Sequence, residues 1–341
     1  MKRYLLWLLT AVVVAWFIWK NAGEFTAVAD ALVLARFRWL VVAGAAIGAY
    51  FCAWAWLYVA CMRIVGITLT WRQALPTTLS ALFVNTIAPT GSTAGSTLFV
   101  SRTRTNGQPA AVTVFGYLLA LLAVVSSLVV LVGVSLVLIR HNEGQLYSAV
   151  LISGLLLLAL VVVMTLLLLL ARHNPERMEW WLHRLGWLIN TPSRVLRRPQ
   201  LLTTKWAVST SAQLHDAAIQ IFTHPRDLGK IFGITFIMHA ATMTAFAAVF
   251  LAMQQPLTWA TVLTAYTLMM LFWIVSPTPQ GIGVVEVVGA YVLSQTGMNT
   301  GVAVVVALAF RGVAYWIPLV VGGFVFVHTN RSQQIGTVEG V

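Results

Sequence analysis

The sequence predicts an all-α polytopic membrane protein, and three observations lead there. Of its 341 residues, 60% are hydrophobic and only 9% charged, against roughly 25% charged in soluble domains. A chain this apolar cannot cover itself with polar surface, so lipid must be part of its solvent. Several apolar runs reach the ~20 residues that a helix needs to cross a ~30 Å hydrocarbon core. Basic residues gather in alternate connections, the pattern that fixes orientation in a bilayer. The net charge of +12 does not mark a nucleic-acid partner, because the charges sit between apolar runs and not on one polar face. In that setting Lys and Arg set topology and meet anionic headgroups.

Six segments read as spans: 3–19, 39–62, 109–139, 146–171, 231–253 and 302–327. The first follows Met1-Lys2-Arg3 and resembles a signal sequence. It lacks a small-x-small cleavage site, and Trp16 and Trp19 suit an interfacial belt, so it is expected to be a retained helix. Two further apolar stretches are interrupted. Residues 73–100 break at Asn85-Thr-Ile-Ala-Pro-Thr-Gly-Ser-Thr-Ala-Gly95, and residues 257–293 break at Ser276-Pro-Thr-Pro-Gln-Gly-Ile-Gly283. Proline removes a backbone donor and glycine permits unusual dihedrals. Irregular backbone at membrane depth survives only when buried in protein or lining a wet cavity. Both breaks are therefore expected to face the protein interior. About eight membrane segments follow, six spans and two re-entrant hairpins, although 257–293 reads equally as a pair of crossings.

Sidedness follows from the basic residues. With a cytoplasmic N-terminus, and with both broken segments returning to the side they entered from, 16 Lys and Arg lie inside and 4 outside; Arg311 falls within a span. Both termini are then cytoplasmic, in a plasma (cell inner) membrane. The chain divides into a first membrane repeat, 1–139, then an outer loop and span, 140–171. A basic cytoplasmic loop, 172–230, is followed by the rest of a second repeat, 231–327, and a tail, 328–341. The two repeats enter the membrane from opposite sides. Inverted repeats with paired broken helices point to a transporter site near the midplane.

The 172–230 loop is expected to lie on the membrane. Met178, Trp181, Leu182, Leu185 and Leu188 share one helical face, and Arg194, Arg197 and Arg198 add a basic patch, as in an interfacial helix. His215 and Asp216 are adjacent on a second helix and do not face each other, so they make no catalytic dyad. Cys52 and Cys61 lie in one apolar segment without a CxxC or Cys/His cluster, which indicates neither a disulfide framework nor zinc. No nucleotide-binding or hydrolase motif is present. No cofactor is expected, and neither is enzymatic activity.

Glu286 and Arg311 are the formally charged residues inside apolar spans. Each is expensive there unless paired or solvated, and each is a functional candidate for that reason. They are opposite in sign and sit on neighbouring elements. They form either a structural ion pair or a site in which Arg311 meets a phosphate while Glu286 orients it or carries a proton. In the first break, Asn85, Thr86, Thr90, Ser92, Thr93 and Ser96 offer hydroxyls and an amide, either to the opened backbone or to a headgroup. Arg102 and Arg104 follow it, as topology determinants or as cations that gather an anionic lipid at the cytoplasmic face. His239 in its apolar helix is a packing donor or a relay. Gln280 and Tyr315 join the candidate binding set, with Tyr266 and Tyr291 weaker on the same logic.

At the two breaks the sequence resembles the lysylphosphatidylglycerol-synthase transmembrane, or flippase-like, family. The first matching stretch is Asn85-x-x-x-Pro89-Thr-Gly91-Ser-Thr-Ala-Gly95, ahead of Arg102, Arg104 and Pro109-Ala-Ala. The second is Pro277-Thr-Pro279-Gln-Gly281-Ile-Gly283-Val-Val-Glu286, continuing through Gly297, Ala303, Arg311, Tyr315-Trp316-x-Pro318 and Gly322. Many members carry an acidic residue where Ser96 stands here. The resemblance spans roughly residues 40–327 and implies a lipid-translocating module. In its best-known members that module flips an aminoacylated phospholipid and is joined to a soluble aminoacyl-transferase domain. The 341 residues hold no such domain, so aminoacyl transfer is not expected of this chain. Other relatives are connected to polyprenyl-linked sugars or glycolipids. The leading expectation is a flippase-like transporter of an anionic or amino-modified lipid. The alternatives are an ion-coupled carrier of a small solute, and a non-transporting partner of a lipid- or glycan-modifying enzyme.

Overall fold

The computed structural model describes residues 35–87, 94–104, 109–139, 145–195, 204–276 and 278–338. The expected first helix, 3–19, lies outside them, as does the tip of the first break. In chain order the described helices are α1 (Phe37–Ile64), α2 (Trp71–Ile87), α3 (Ala94–Arg104), α4 (Ala110–Ile139), α5 (Gln145–His173) and α6 (Pro175–Val195). They continue with α7 (Thr204–Thr223), α8 (Pro225–Ala252), α9 (Trp259–Val275), α10 (Val284–Gln295), α11 (Thr300–Arg311) and α12 (Ile317–Val338). No strand occurs among the described residues. Five helical stretches among them are long and apolar enough to cross a membrane: Phe37–Ile64, Ala110–Leu138, Val150–His173, Pro225–Ala252 and Thr300–Thr329.

The lengths of the broken elements separate them from these. The legs α2 and α9 have 17 residues each, whereas α3 has 11 and α10 has 12. At 1.5 Å per residue the short legs extend only about 16–18 Å, too little to cross the core alone. The last expected span, 302–327, is not one continuous α-helix. A π turn, Gly312–Trp316, separates α11 from α12, with the Ile317 N–H bonded to the Gly312 carbonyl. The helix boundaries also move: α8 begins at Pro225, inside the stretch expected as cytoplasmic loop.

Elements recur at a fixed spacing. The 28-residue helices α1 and α8 begin at Phe37 and Pro225, and the 17-residue helices α2 and α9 begin at Trp71 and Trp259. Both pairs are 188 positions apart (37 to 225, 71 to 259). After the breaks, α3 and α10 begin at Ala94 and Val284, and α4 and α11 at Ala110 and Thr300. These pairs are 190 apart (94 to 284, 110 to 300). In the sequence itself Pro89-Thr90 and Pro277-Thr278 keep the 188 spacing. Packing repeats as well: α1 lies along α8, α12 on α2, and α4 on α9.

Two apolar cores fill the bundle. One joins α4, α8, α9, α10 and α11 around Phe246, Phe250 and Phe310; the other joins α1, α2, α3, α4 and α7 around Tyr58, Phe99 and Phe115. Helices in lipid gain little from the hydrophobic effect and associate through close packing. Ala43, Ala55, Ala245 and Ala248 are buried where α1 meets α8, which lets the backbones approach. Outside the cores, α5 is largely exposed along Leu151, Leu155, Leu158, Val162 and Leu166, a surface suited to lipid. The apolar face expected on α6 is divided. Met178 and Leu182 turn inward, while Trp181, Leu185 and Leu188 are exposed, bordered by Arg177 and Arg184. The α7 helix is tied to its neighbours by Ser211 donating to the Pro175 carbonyl at 2.6 Å and by the His215 ring against the Ala171 carbonyl at 2.9 Å.

Candidate functional site

The second break folds back on itself through three left-handed residues. Gln280 has φ 54°, Gly281 69° and Gly283 84°. Glycine carries no penalty there, but Gln280 does, which marks a residue held by its surroundings. Gly281 is required twice over, since a Cβ would lie 2.5 Å from Val285 Cγ2 and 3.3 Å from Trp273 Cα. The turn then launches α10, and the Glu286 carboxylate reaches back to cap it, with Oε2 accepting from the Gly283 N–H at 2.9 Å. An acidic group at this end also complements the helix dipole.

Arg311 approaches the same turn from the end of α11. Its Nε donates to Glu286 Oε1 at 2.7 Å, and Nη2 donates to the Gln280 carbonyl at 3.1 Å. The two side chains are 5% and 12% exposed, so water does not share the pair. Gln280 is fixed in turn by Trp273 Nε1, which donates to Oε1 at 2.9 Å. Arg311 lies eleven residues along from Thr300, about 16 Å deep on a helix rise of 1.5 Å, close to half of a ~30 Å core.

The π turn then carries the site to the other break. It leaves Arg311 over the Tyr315 ring, 4.2 Å from the centroid, a cation–π contact. The Tyr315 hydroxyl donates to Thr86 Oγ1 at 3.1 Å, on the last turn of α2. Thr86 spends its own proton on the Leu82 carbonyl at 2.8 Å, so its oxygen is left to accept. The two broken segments are thereby joined by a continuous polar chain, Glu286–Arg311–Tyr315–Thr86. Tyr315→Phe should cut that chain with little loss of fold, at about 1 kcal/mol for one hydrogen bond. Thermal unfolding in detergent checks the small cost, and Thr86→Val should match it.

Of the expected site residues, Gln280, Glu286, Arg311 and Tyr315 come together. The others do not join them. Asn85 is buried and acts inside the first break, its Oδ1 accepting from the Gly95 N–H at 2.5 Å. Gly95 is matched to that role, because a Cβ would lie 2.8 Å from the Ala81 Cβ and 2.9 Å from Asn85 Nδ2. Ser96 and Arg102 lie on α3 and are both already engaged. Thr90 and Ser92, and the Arg104 side chain, lie outside the described residues. Tyr291 is 45% exposed, on α10 and away from the pair. Trp273 was not foreseen, since a tryptophan in an apolar helix carries no mark of its hydrogen bond. Thr86 was seen only as one hydroxyl of several.

The geometry is that of a membrane-embedded polar site between two interrupted helices, and comparison with known proteins places it. No curated protein matches the chain. The family model described as the lysylphosphatidylglycerol synthase TM region matches residues 5–322, both breaks and the Arg311 pair included. With its five long apolar helices, the chain is a multi-pass membrane protein and belongs to the lysylphosphatidylglycerol synthase TM region family.

Proposed function

We propose that the chain is a flippase-like transporter that moves an anionic or amino-modified lipid between leaflets, not an enzyme. The observation that carries this reading is the buried Arg311–Glu286 pair at mid-depth, bound to both broken segments. A guanidinium at that depth is costly unless it has work to do. Its planar fork suits a phosphate better than a point charge would, and an arriving headgroup phosphate exchanges with Glu286 as its counter-ion. The breaks replace headgroup water with backbone groups and hydroxyls while the acyl tails stay in lipid. The fixed spacing of α1–α4 and α8–α12 supports an inverted repeat. In that arrangement the two halves rock against each other along α1 and α8. Basic residues gathered on α3 and in 172–230 support a cytoplasmic face that collects anionic headgroups, in a plasma membrane with both termini inside.

Headgroup accessibility of labelled lipids in proteoliposomes tests the proposal. The panel is phosphatidylglycerol, its lysyl ester and a polyprenyl phosphate, with Arg311→Gln as control. The expected result is a protein-dependent loss of protection for one lipid class, absent in the variant. Folded protein that translocates none of them under any imposed ion gradient would sink the reading in favour of a solute carrier or an enzyme partner.

A further inference from the structure

A second buried polar centre lies away from Arg311, where α4, α8 and α9 meet. His239 sits halfway along α8 and is 6% exposed. Both of its ring nitrogens are engaged. Nε2 lies 2.9 Å from Ser127 Oγ on α4, and Nδ1 lies 2.6 Å from the Tyr266 hydroxyl on α9. Ser127 spends its proton on the Val124 carbonyl at 2.9 Å, so its oxygen accepts. That fixes the tautomer: Nε2 carries the proton, and Nδ1 accepts from the Tyr266 O–H. Thr242, one turn along α8 from His239, is a second hydrogen-bond partner for Tyr266. Its own proton goes to the Met238 carbonyl at 2.9 Å, which leaves its oxygen to accept.

We infer that His239, with Tyr266 and Thr242, is a proton-binding site that couples acid to the α4–α9 interface. The atoms balance simply. One proton arrives from water at Nδ1, and Nδ1–H then donates to the Tyr266 oxygen. The Tyr266 O–H turns to Thr242 Oγ, and no covalent bond to carbon breaks. Every polar atom keeps a partner in both states, which a packing contact alone does not require. Glu286 is poorly placed for this task, because both of its oxygens already accept, from Arg311 and from Gly283.

The consequence of protonation follows from the surroundings. Tyr266 on α9 faces the ring, Tyr50 on α1 lies next to Tyr266, α4 contributes Ser127, and none of these is a carboxylate. An imidazolium there lacks a counter-ion, and a buried charge without one disfavours the closed packing. The α4–α9 contact, closed also by Ser135 Oγ donating to Thr267 Oγ1 at 3.2 Å, is what gives way. By the recurrent spacing of the helices, that contact is the counterpart of the α2–α12 contact beside Tyr315. Acid therefore opens one side of the bundle while the other stays shut.

The test does not depend on translocation, although the use of the proton rests on that reading. Spin labels at Val137 and Trp259, exposed on α4 and α9, report the helix separation in a background lacking Cys52 and Cys61. The separation in bilayers is followed from about pH 4 to about pH 8, across the imidazole range. Nitrogen-15 spectra of labelled histidine follow the ring in the same samples, with the His239 signal assigned by its loss in His239→Gln. The expected result is a second ring proton and a wider distance at acid pH, with the widening abolished in His239→Gln. Where translocation is measurable, its rate should change by up to about tenfold per pH unit, the limit for one coupled proton, and His239→Gln should flatten it. A ring that stays neutral throughout overturns the inference. So does a ring that titrates while the distance responds identically in wild type and variant. Failure of lipid translocation alone would overturn the transport reading and leave this site standing.

Discussion

Arg311→Gln should abolish headgroup translocation and lower stability by about 3–5 kcal/mol, the usual cost of leaving one partner of a buried ion pair without the other. The Glu286 carboxylate would keep its bond to the Gly283 N–H but lose its counter-ion at mid-depth. The Gln280 carbonyl would lose a charged donor, in a turn whose left-handed residues need support. Adding Glu286→Gln removes the orphaned charge. The double variant should therefore recover most of the stability, measured by unfolding in detergent, and none of the transport. Arg311→Lys separates charge from shape: it keeps the positive charge but loses the fork that spans Glu286 and the turn. If the double variant translocated lipid at the wild-type rate, the pair would be structural only.

The second large effect is expected far from any charge. Gly322 on α12 faces α2 so closely that a Cβ would collide with the Leu79 carbonyl oxygen, and Gly323 leaves 2.9 Å to the Phe83 ring. A side chain can turn aside, but a helix backbone cannot. Gly322→Val should push α12 from α2 and cost about 3 kcal/mol or more, at the upper end for overpacking a fitted interface. It should also lengthen the Tyr315–Thr86 bond, because Tyr315 immediately precedes α12 on the same chain. Gly323→Ala should be milder, since the neighbouring Phe83 ring has room to shift. Expression level and unfolding temperature in detergent check the order: wild type, Gly323→Ala, then Gly322→Val. A Gly322→Val protein as stable as wild type would contradict the close approach.

Much of this was legible in the sequence because the bilayer imposes simple rules. Span length followed from apolar runs, and the breaks declared themselves through Pro89, Gly91, Pro277 and Gly281 in otherwise apolar stretches. Glu286 and Arg311 stood out because charge is rare at such depth, and the structure pairs them directly. What stayed hidden was partnership between segments far apart in the chain. Nothing in the sequence around Tyr315 names Thr86, 229 positions away, and nothing around His239 names Ser127, 112 away. Nor could composition show that Asn85 would serve its own break and not the Arg311 site. The α6 face misled in part, since periodicity groups Met178 with Trp181 but cannot tell which edge of the face meets protein. One further signal was present and went unread. The 188-residue spacing of Pro89-Thr90 and Pro277-Thr278 aligns the breaks residue by residue, although few side chains repeat around them.

The π turn at Gly312–Trp316 also has a meaning for how the chain tolerates insertion and deletion. A π turn holds one residue more than the α-helix it interrupts, so it is the mark a single-codon insertion leaves in a helix. Losing that residue would let α11 and α12 run on as one regular helix, but it would rotate everything beyond by about 100°. Tyr315 would leave Thr86, and the paired glycines would turn away from Leu79 and Phe83, bringing bulkier neighbours against α2. The length of this one turn sets the phase in which the final helix meets the first half of the protein. Here a change of one residue in count is graver than most changes in kind.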